Sequence, residues 1–307
     1  MSPFVVRRLL YISRNVRELE RSTAFYCERL GFQLSGLVHL VEPAMSALLG
    51  LAGQPLKAQR LKLGNGEIEL IEVGLHGRPY PPGSRSSDLW FQHFAIRCAD
   101  IDAAYRRLNR ADSMSALPIS ISLEMQGRLG PVALPSKSGG AIAFKFRDPD
   151  GHPVELIQLK AQRNITDASV GIDHSAIAVK DVDRSIDFYQ NSLGMNVIAR
   201  QTNSGSEQDR LDALLNDVVD VVALAPSRVS NPHLELLGYR SPTVATLRPA
   251  ALPCDIASDR LAFEFSRPAR DVAAFTLSSN EGTCAETALL IDPDGHFILL
   301  QGIKEGQ

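Results

Sequence analysis

Five side chains carry the chemistry available to this sequence: His93, His174, Glu69, Glu155 and Glu235. Each stands inside a short apolar run. His93 lies in Phe91-Gln92-His93-Phe94-Ala95-Ile96 and His174 in Ile172-Asp173-His174-Ser175-Ala176-Ile177. Glu69 sits between Ile68 and Leu70, Glu155 in Pro153-Val154-Glu155-Leu156-Ile157, and Glu235 in His233-Leu234-Glu235-Leu236-Leu237. A carboxylate or imidazole buried in such surroundings is costly unless it is paired or binds a metal. Imidazole and carboxylate together suit Zn, Ni, Co, Mn or Fe(II). Taken singly, each residue has a plainer reading, since a strand histidine is more often a core or rim residue and a strand glutamate more often faces water. Their recurrence in a repeat favours the ligand reading.

The elements that must position them follow from local signals. Phe144 to Leu159 is two apolar runs around Asp148-Pro149-Asp150-Gly151, a type I turn signature, so a β-hairpin is expected with Glu155 on its second strand. The phrase returns at Asp292-Pro293-Asp294-Gly295, where Leu299 takes the glutamate position. Helices are expected from about Arg17 to Leu30, stopped by Gly31, after Asp100, and from about Val182 to Leu193, stopped by Gly194. A short helix is expected from Pro268 to about Leu277. Phe32 to His39 reads as a strand and Pro43 to Pro55 as a loop. Ala58 to Leu63 and Glu67 to Val73 read as strands joined at Gly64-Asn65-Gly66, and Asp217 to Ala225 as a further strand. Four related units result, each a strand, a helix, then strands. Tyr11, His93, His174 and Arg260 each precede a helix-start position, at Glu18, Asp100, Asp181 and Arg267, by the same seven residues. Superposed, the opening-strand column reads Tyr11, His93, His174, Arg260 and the closing-strand column Glu69, Glu155, Glu235, Leu299.

A chain of 307 residues suggests about two domains. The polar stretch Lys160 to Ser169 is the best boundary, and Gly74 to Asp88 reads as a linker between units. The net charge of −3, with no basic block, argues against nucleic acid or an anionic membrane as partner. Cys27, Cys98, Cys254 and Cys284 form no C-x-x-C pair and fit reduced thiols, hence a cytoplasmic location. No signal peptide or membrane-spanning run is apparent.

His174-Ser-Ala-Ile-Ala-Val-Lys-Asp-Val-Asp-Arg-Ser-Ile-Asp-Phe-Tyr with its later Leu-Gly-Met resembles a module opening of the vicinal oxygen chelate superfamily, which includes glyoxalases, bleomycin-resistance proteins and extradiol dioxygenases. Glu18 to Phe32 and the DPDGHPVEL segment resemble it too. The resemblance implies an α+β fold of four βαβββ-type modules, paired into two cup-shaped half-barrels with helices outside. It implies one glyoxalase-like domain over residues 1–160 (modules near 8–73 and 90–159) and another over 170–307 (modules near 171–240 and 259–303). The last module is degenerate and short. Pairing first with second and third with fourth would put Glu69, His93 and Glu155 in one cup. Crossed pairing, second with third, puts His93, Glu155, His174 and Glu235 in one cup and gathers Tyr11, Glu69, Arg260 and Leu299 in the other. Crossed pairing is favoured because it collects the losses in one place.

The expected function is a divalent-metal enzyme of lyase or isomerase type. The metal ligands would be His93, Glu155, His174 and Glu235, with Glu155 or Glu235 as base on a small substrate held through vicinal oxygens. Two alternatives belong beside it: an Fe(II) ring-cleaving dioxygenase and a metal-free drug-binding protein. Arg60, Arg147 and Arg210 lie on or beside predicted cup strands and could meet a carboxylate, but such arginines are more often solvated or paired with acids at the surface, and they are left out of the site. A homodimer is compatible with the sequence.

Overall fold

The two Asp-Pro-Asp-Gly turns show how a local signal becomes architecture. In the computed structural model, which describes residues 4–110, 116–120, 129–160, 170–242, 252–266 and 287–302, the Gly151 amide donates to the Asp148 carbonyl at 3.0 Å. Asp148 Oδ1 accepts from the amides of Asp150 and His152, each at 2.9 Å. Gly151 sits at φ 94°, where any Cβ would be strained. The turn at Asp292 repeats this, with Oδ1 accepting from the amides of Asp294 and His296 at 2.9 and 2.8 Å.

The first module comprises β1 (Val5–Val16), α1 (Leu19–Leu30), β2 (Gln33–Leu34), β3 (His39–Leu40), α2 (Pro43–Leu48), β4 (Lys57–Leu63) and β5 (Gly66–Glu72). The second comprises β6 (Gln92–Arg97), α3 (Ile101–Leu108), β7 (Leu117–Pro118), β8 (Val132–Ala133), β9 (Ile142–Arg147) and β10 (Pro153–Gln158). The third comprises β11 (Gly171–Ala178), α4 (Val182–Leu193), β12 (Asn196–Ser204), α5 (Ser206–Asp212), β13 (Val218–Ala225) and β14 (His233–Ser241). The fourth shows β15 (Arg260–Ser266), β16 (Thr287–Ile291) and β17 (Phe297–Gly302). The helix expected from Pro268 lies outside the described residues, as does most of the boundary at 161–169.

Capping explains the helix limits. Asp100 and Asp181 accept from the amides of Ala103 and Arg184, and Gly31 and Gly194 close α1 and α4 in the left-handed region. Two expectations are corrected. Phe32 to His39 is not one strand but two short ones, β2 and β3, both laid on β4. The stretch read as a loop from Pro43 contains α2, for which Pro43 at the first turn is a suitable start.

The pairing of modules is crossed. One sheet runs β16-β17-β15-β1-β5-β4-β2, with β3 also on β4, and so joins the first and fourth modules. The other runs β12-β13-β14-β11-β6-β10-β9-β7, with β8 also on β9, and joins the second and third. At the centre of each, two opening strands lie antiparallel, β1 on β15 and β6 on β11. Each opening strand has its own module's closing strand beside it in parallel.

The backs of the sheets share a core with the helices. It takes Phe25 and Tyr26 from α1, Phe94 from β6, Phe144 from β9, Tyr189 from α4 and Phe263 from β15. Full burial of each large apolar side chain contributes about 1.5–3 kcal/mol. Along β6 the period of two sends Phe94 and Ile96 to this core and leaves His93 and Ala95 on the opposite face.

A buried charge network ties three modules at the first turn. Arg14 Nη2 pairs with Asp259 Oδ2 at 2.6 Å, and Arg14 Nη1 donates to the Tyr26 hydroxyl at 2.8 Å. Tyr26 donates in turn to Asp148 Oδ2 at 2.6 Å, while His152 Nδ1 lies 3.2 Å from Asp259 Oδ1. In the second half, Tyr189 repeats the contact to Asp292 at 3.1 Å.

Candidate metal centre

Strand register brings the expected residues together. Across β10, β6 and β11, Glu155 lies opposite Ala95 and Ala95 opposite His174; His174 in turn faces His233 on β14. One pleat away, His93 lies opposite Ala176, and Ala176 opposite Glu235. A separation of two along each strand keeps all four on one face. The alanines between them are small, which leaves room above the sheet. The four residues line a cavity of about 180 Å³ in the second sheet's cup.

The functional atoms point at one another. His93 Nε2 lies 3.0 Å from Glu155 Oε2, and His174 Nε2 lies 3.5 Å from both Glu155 Oε2 and Glu235 Oε2. The ligand atoms of His93, Glu155 and His174 all fall within 4.8 Å of one another. His174 Nε2 is buried and has no hydrogen-bond partner among the described residues. Adjacent ligands of an ion bonded at about 2.0–2.2 Å stand roughly 3.0–3.4 Å apart. The donor set and its spacing therefore fit a divalent ion.

A bulge in β11 orients His174. The register slips between Ile172 and His174, and Asp173 Oδ2 accepts from His174 Nδ1 at 3.1 Å. With one proton held on Nδ1, Nε2 is the atom that would give up its proton and offer a lone pair to an ion in the cup. Glu235 is held more loosely. Its side chain keeps 21% exposure against 6% for Glu155, and its further contact is His233 at 3.4 Å.

The electrostatics favour a cation at this point. Burial opposes charge on His174, but Glu235, Asp173 and Glu155 together push its pKa well above the usual value. His93 moves the other way, lowered by burial and by Lys145, and stays neutral. Burial would favour the neutral acid at Glu155, yet the closeness of His174, the hydrogen bond with His93 and the charge of Lys145 hold it well below its usual range. Glu235 is lowered against burial by His174 and His233.

Lys145, opposite Glu155 on β9, is paired with Asp212. Asp212 also accepts from Gln208 Nε2 at 2.7 Å and from the Tyr239 hydroxyl at 3.2 Å. Next to it, burial and the charge of Asp212 raise Asp217 to about 9.

The other cup is occupied by protein contacts. Arg60 pairs with Glu69 at 3.1 Å and stacks 3.7 Å over the Tyr11 ring. Gln301 donates to the Tyr11 hydroxyl at 2.9 Å, and Leu299 is fully buried beside Tyr11. Arg260 is fully buried and donates to Ser13 Oγ, Asn15 Oδ1 and the carbonyls of Pro253 and Ser258. Glu69 thus sits on the other sheet from His93.

Several cup residues escaped the sequence reading. Asp173 had a signal, an acid immediately before a strand histidine. Lys145 had one too, a cation between Phe144 and Phe146. Asn203, Gln208 and Asp212 had none, because they lie on β12 and α5, which sequence periodicity did not reveal.

A family model described as Glyoxalase/Bleomycin resistance protein/Dioxygenase superfamily matches residues 8–156 and 171–250. Over 197 residues the chain is 29% identical to lactoylglutathione lyase GLX1 of Arabidopsis thaliana, covering 63% of this chain and 57% of that protein. Over 196 residues it is 26% identical to lactoylglutathione lyase of Oryza sativa subsp. japonica, covering 64% and 56%. These matches span little more than half the length of the curated relatives. Among solved structures, glyoxalase I from Zea mays gives a TM-score of 0.63 at 20% identity, covering 96% of this chain and 92% of that one. A putative dioxygenase from Bacillus subtilis gives 0.55 at 10%, covering 98% and 87%. At these identities the structural likeness is one of fold. No described helix is long and apolar enough to cross a membrane.

Proposed function

We propose, since the chain belongs to the Glyoxalase/Bleomycin resistance protein/Dioxygenase superfamily, that its second cup is the site of a divalent-metal lyase or isomerase acting on a small substrate bound through adjacent oxygens. The observation that carries this reading is the convergence of His93, Glu155, His174 and Glu235 around the unpartnered His174 Nε2. These four would hold the ion, which would supply Lewis-acid stabilisation of a developing oxyanion. Asp173 keeps the His174 proton on Nδ1. His93 bonds Glu155 at 3.0 Å, and Lys145 on the neighbouring strand helps hold it ionised. Glu235 is assigned the role of base because it is the more exposed carboxylate and lacks the contact with His93 that holds Glu155. It would take a proton from the carbon next to the substrate carbonyl and return it to the neighbouring carbon.

The test is elemental analysis with paired variants. The purified chain should carry about one divalent ion in this cup. Glu155→Gln should lose it. Glu235→Gln should keep most of it and lose turnover by at least about a hundredfold, the lower range of general-base effects. Full metal retention in both Glu155→Gln and His174→Ala would refute the site. A second reading follows from the two-histidine, one-carboxylate composition of His93, Glu155 and His174, which also suits Fe(II) oxygen chemistry. Oxygen consumption by Fe(II)-loaded protein with a catechol would favour it.

A further inference from the structure

The cup wall facing the proposed ligands has its own chemistry. α5 lies across the cup's side: Ser120 Oγ, from the second module, donates to the Leu211 carbonyl at 3.1 Å, and Ser86 Oγ donates to the Asp212 carbonyl at 2.9 Å. With the helix in place, the cavity is about 180 Å³, below the about 300–1,000 Å³ typical of sites for drug-sized ligands. Two buried acceptors line it without a hydrogen-bond partner among the described residues, Asn203 Oδ1 and Gln208 Oε1. The Gln208 amide is oriented by chemistry. Its Nε2 must face the acceptor-only Asp212 carboxylate, 2.7 Å away, so Oε1 is its open end. The residues are 6% and 4% exposed, and a buried acceptor left unmatched is costly.

Charge points the same way. Four carboxylates line the cavity, from Glu155, Asp173, Asp212 and Glu235, against one ammonium, from Lys145. A divalent ion, together with Arg97 placed 3.8 Å from Asp173 outside the lining, would bring the cup close to neutral and leave no cation over for an anionic substrate. No arginine lines the cavity among the described residues. Arg60 is paired in the other cup, and Arg147 donates to the carbonyls of Gly151 and Ser84.

We infer that this cup takes a small uncharged or cationic substrate carrying at least one hydroxyl or ammonium donor beyond its chelating oxygens, and that Asn203 and Gln208 receive that donor. The inference rests on the metal site proposed above. It would set this chain apart from the lactoylglutathione lyases it resembles.

Calorimetric titration of the Zn-loaded full chain tests it, with dihydroxyacetone and S-lactoylglutathione as probes. Dihydroxyacetone should bind more tightly. Asn203→Leu and Gln208→Leu should each weaken it about fivefold, as the loss of one buried hydrogen bond does, with zinc content unchanged. Tighter binding of S-lactoylglutathione overturns the inference. So does unaltered dihydroxyacetone binding in both variants, or no saturable binding of dihydroxyacetone at all. Loss of the metal-site reading would show separately, as zinc content that His174→Ala leaves unchanged.

Discussion

His174 and His93 occupy equivalent positions in their modules, yet only His174 has an adjacent acid to orient it. Asp173 reaches Nδ1 because the bulge in β11 turns two consecutive side chains to the cup. Module two offers Gln92 at the equivalent position, and among the described residues His93 Nδ1 has no partner. Oriented imidazoles bind metals more tightly, and removing such a partner typically costs 10–100-fold in affinity. Asp173→Asn should therefore weaken metal binding by about that factor in chelator competition. Gln92→Ala should leave it unchanged, since the Gln92 side chain is not bonded to His93. An Asp173→Asn protein that binds as tightly as the parent would remove Asp173 from the site.

Among the elements, the Asp-Pro-Asp-Gly turn does more than reverse a strand. Its first aspartate receives Tyr26 from α1, and its second tethers that helix's approach and first turn through the Arg17 amide and Ser22. The second copy does the same work for α4, through Tyr189, Ser185 and the Lys180 amide. In the first copy, Arg14 and His152 extend the contact to Asp259 of the fourth module. Burial favours the neutral form of Asp259, but Arg14 and then His152 outweigh it and hold the pKa at about 2. A folded value below the ordinary Asp value of about 3.9 means that ionised Asp259 stabilises the fold above that pH. The contribution is lost as pH falls toward 2. Asp259→Asn leaves Arg14 buried without its closest partner and should cost about 3–5 kcal/mol in guanidinium unfolding at neutral pH. The gap between parent and variant should shrink between about pH 4 and 2. A constant gap across that window would show that the charge is not what matters.

At the scale of the molecule, each cup draws on both sides of residues 161–169. We propose that residues 1–160 and 170–307 are the two folding units, and that the metal centre exists only where they meet. His93 and Glu155 come from one unit and His174 and Glu235 from the other, across the β6–β11 seam. The β1–β15 seam joins them a second time. Coexpressed as separate chains, the two pieces should copurify and bind metal together, and neither should bind it alone. Full metal binding by 1–160 alone would place the site within one unit. The seam also explains the unequal cups. Tyr11 and Arg260 stand where the metal cup has His93 and His174, and in the other cup Arg260 bonds Ser13 and Arg60 pairs with Glu69.

Repetition made much of this legible before any coordinates. The constant spacing from opening strand to helix start, the two Asp-Pro-Asp-Gly turns and the glutamates amid apolar neighbours are all local signals, and local backbone preferences set them. They determined the four modules, the α1, α3 and α4 helices and the list of residues worth testing as ligands. Proximity of His93 to His174 is not local, because it depends on which edges of separate modules pair, and only the β6–β11 register turns that pairing into a distance. Asp173 entered the site through a bulge that slips the register by one residue. Asn203, Gln208 and Asp212 entered through β12, whose first seven residues are exposed and show no alternation, and through α5, too short for a helical period to appear. Tertiary structure decided those because their positions are set by what packs against them, not by their own neighbours in the chain.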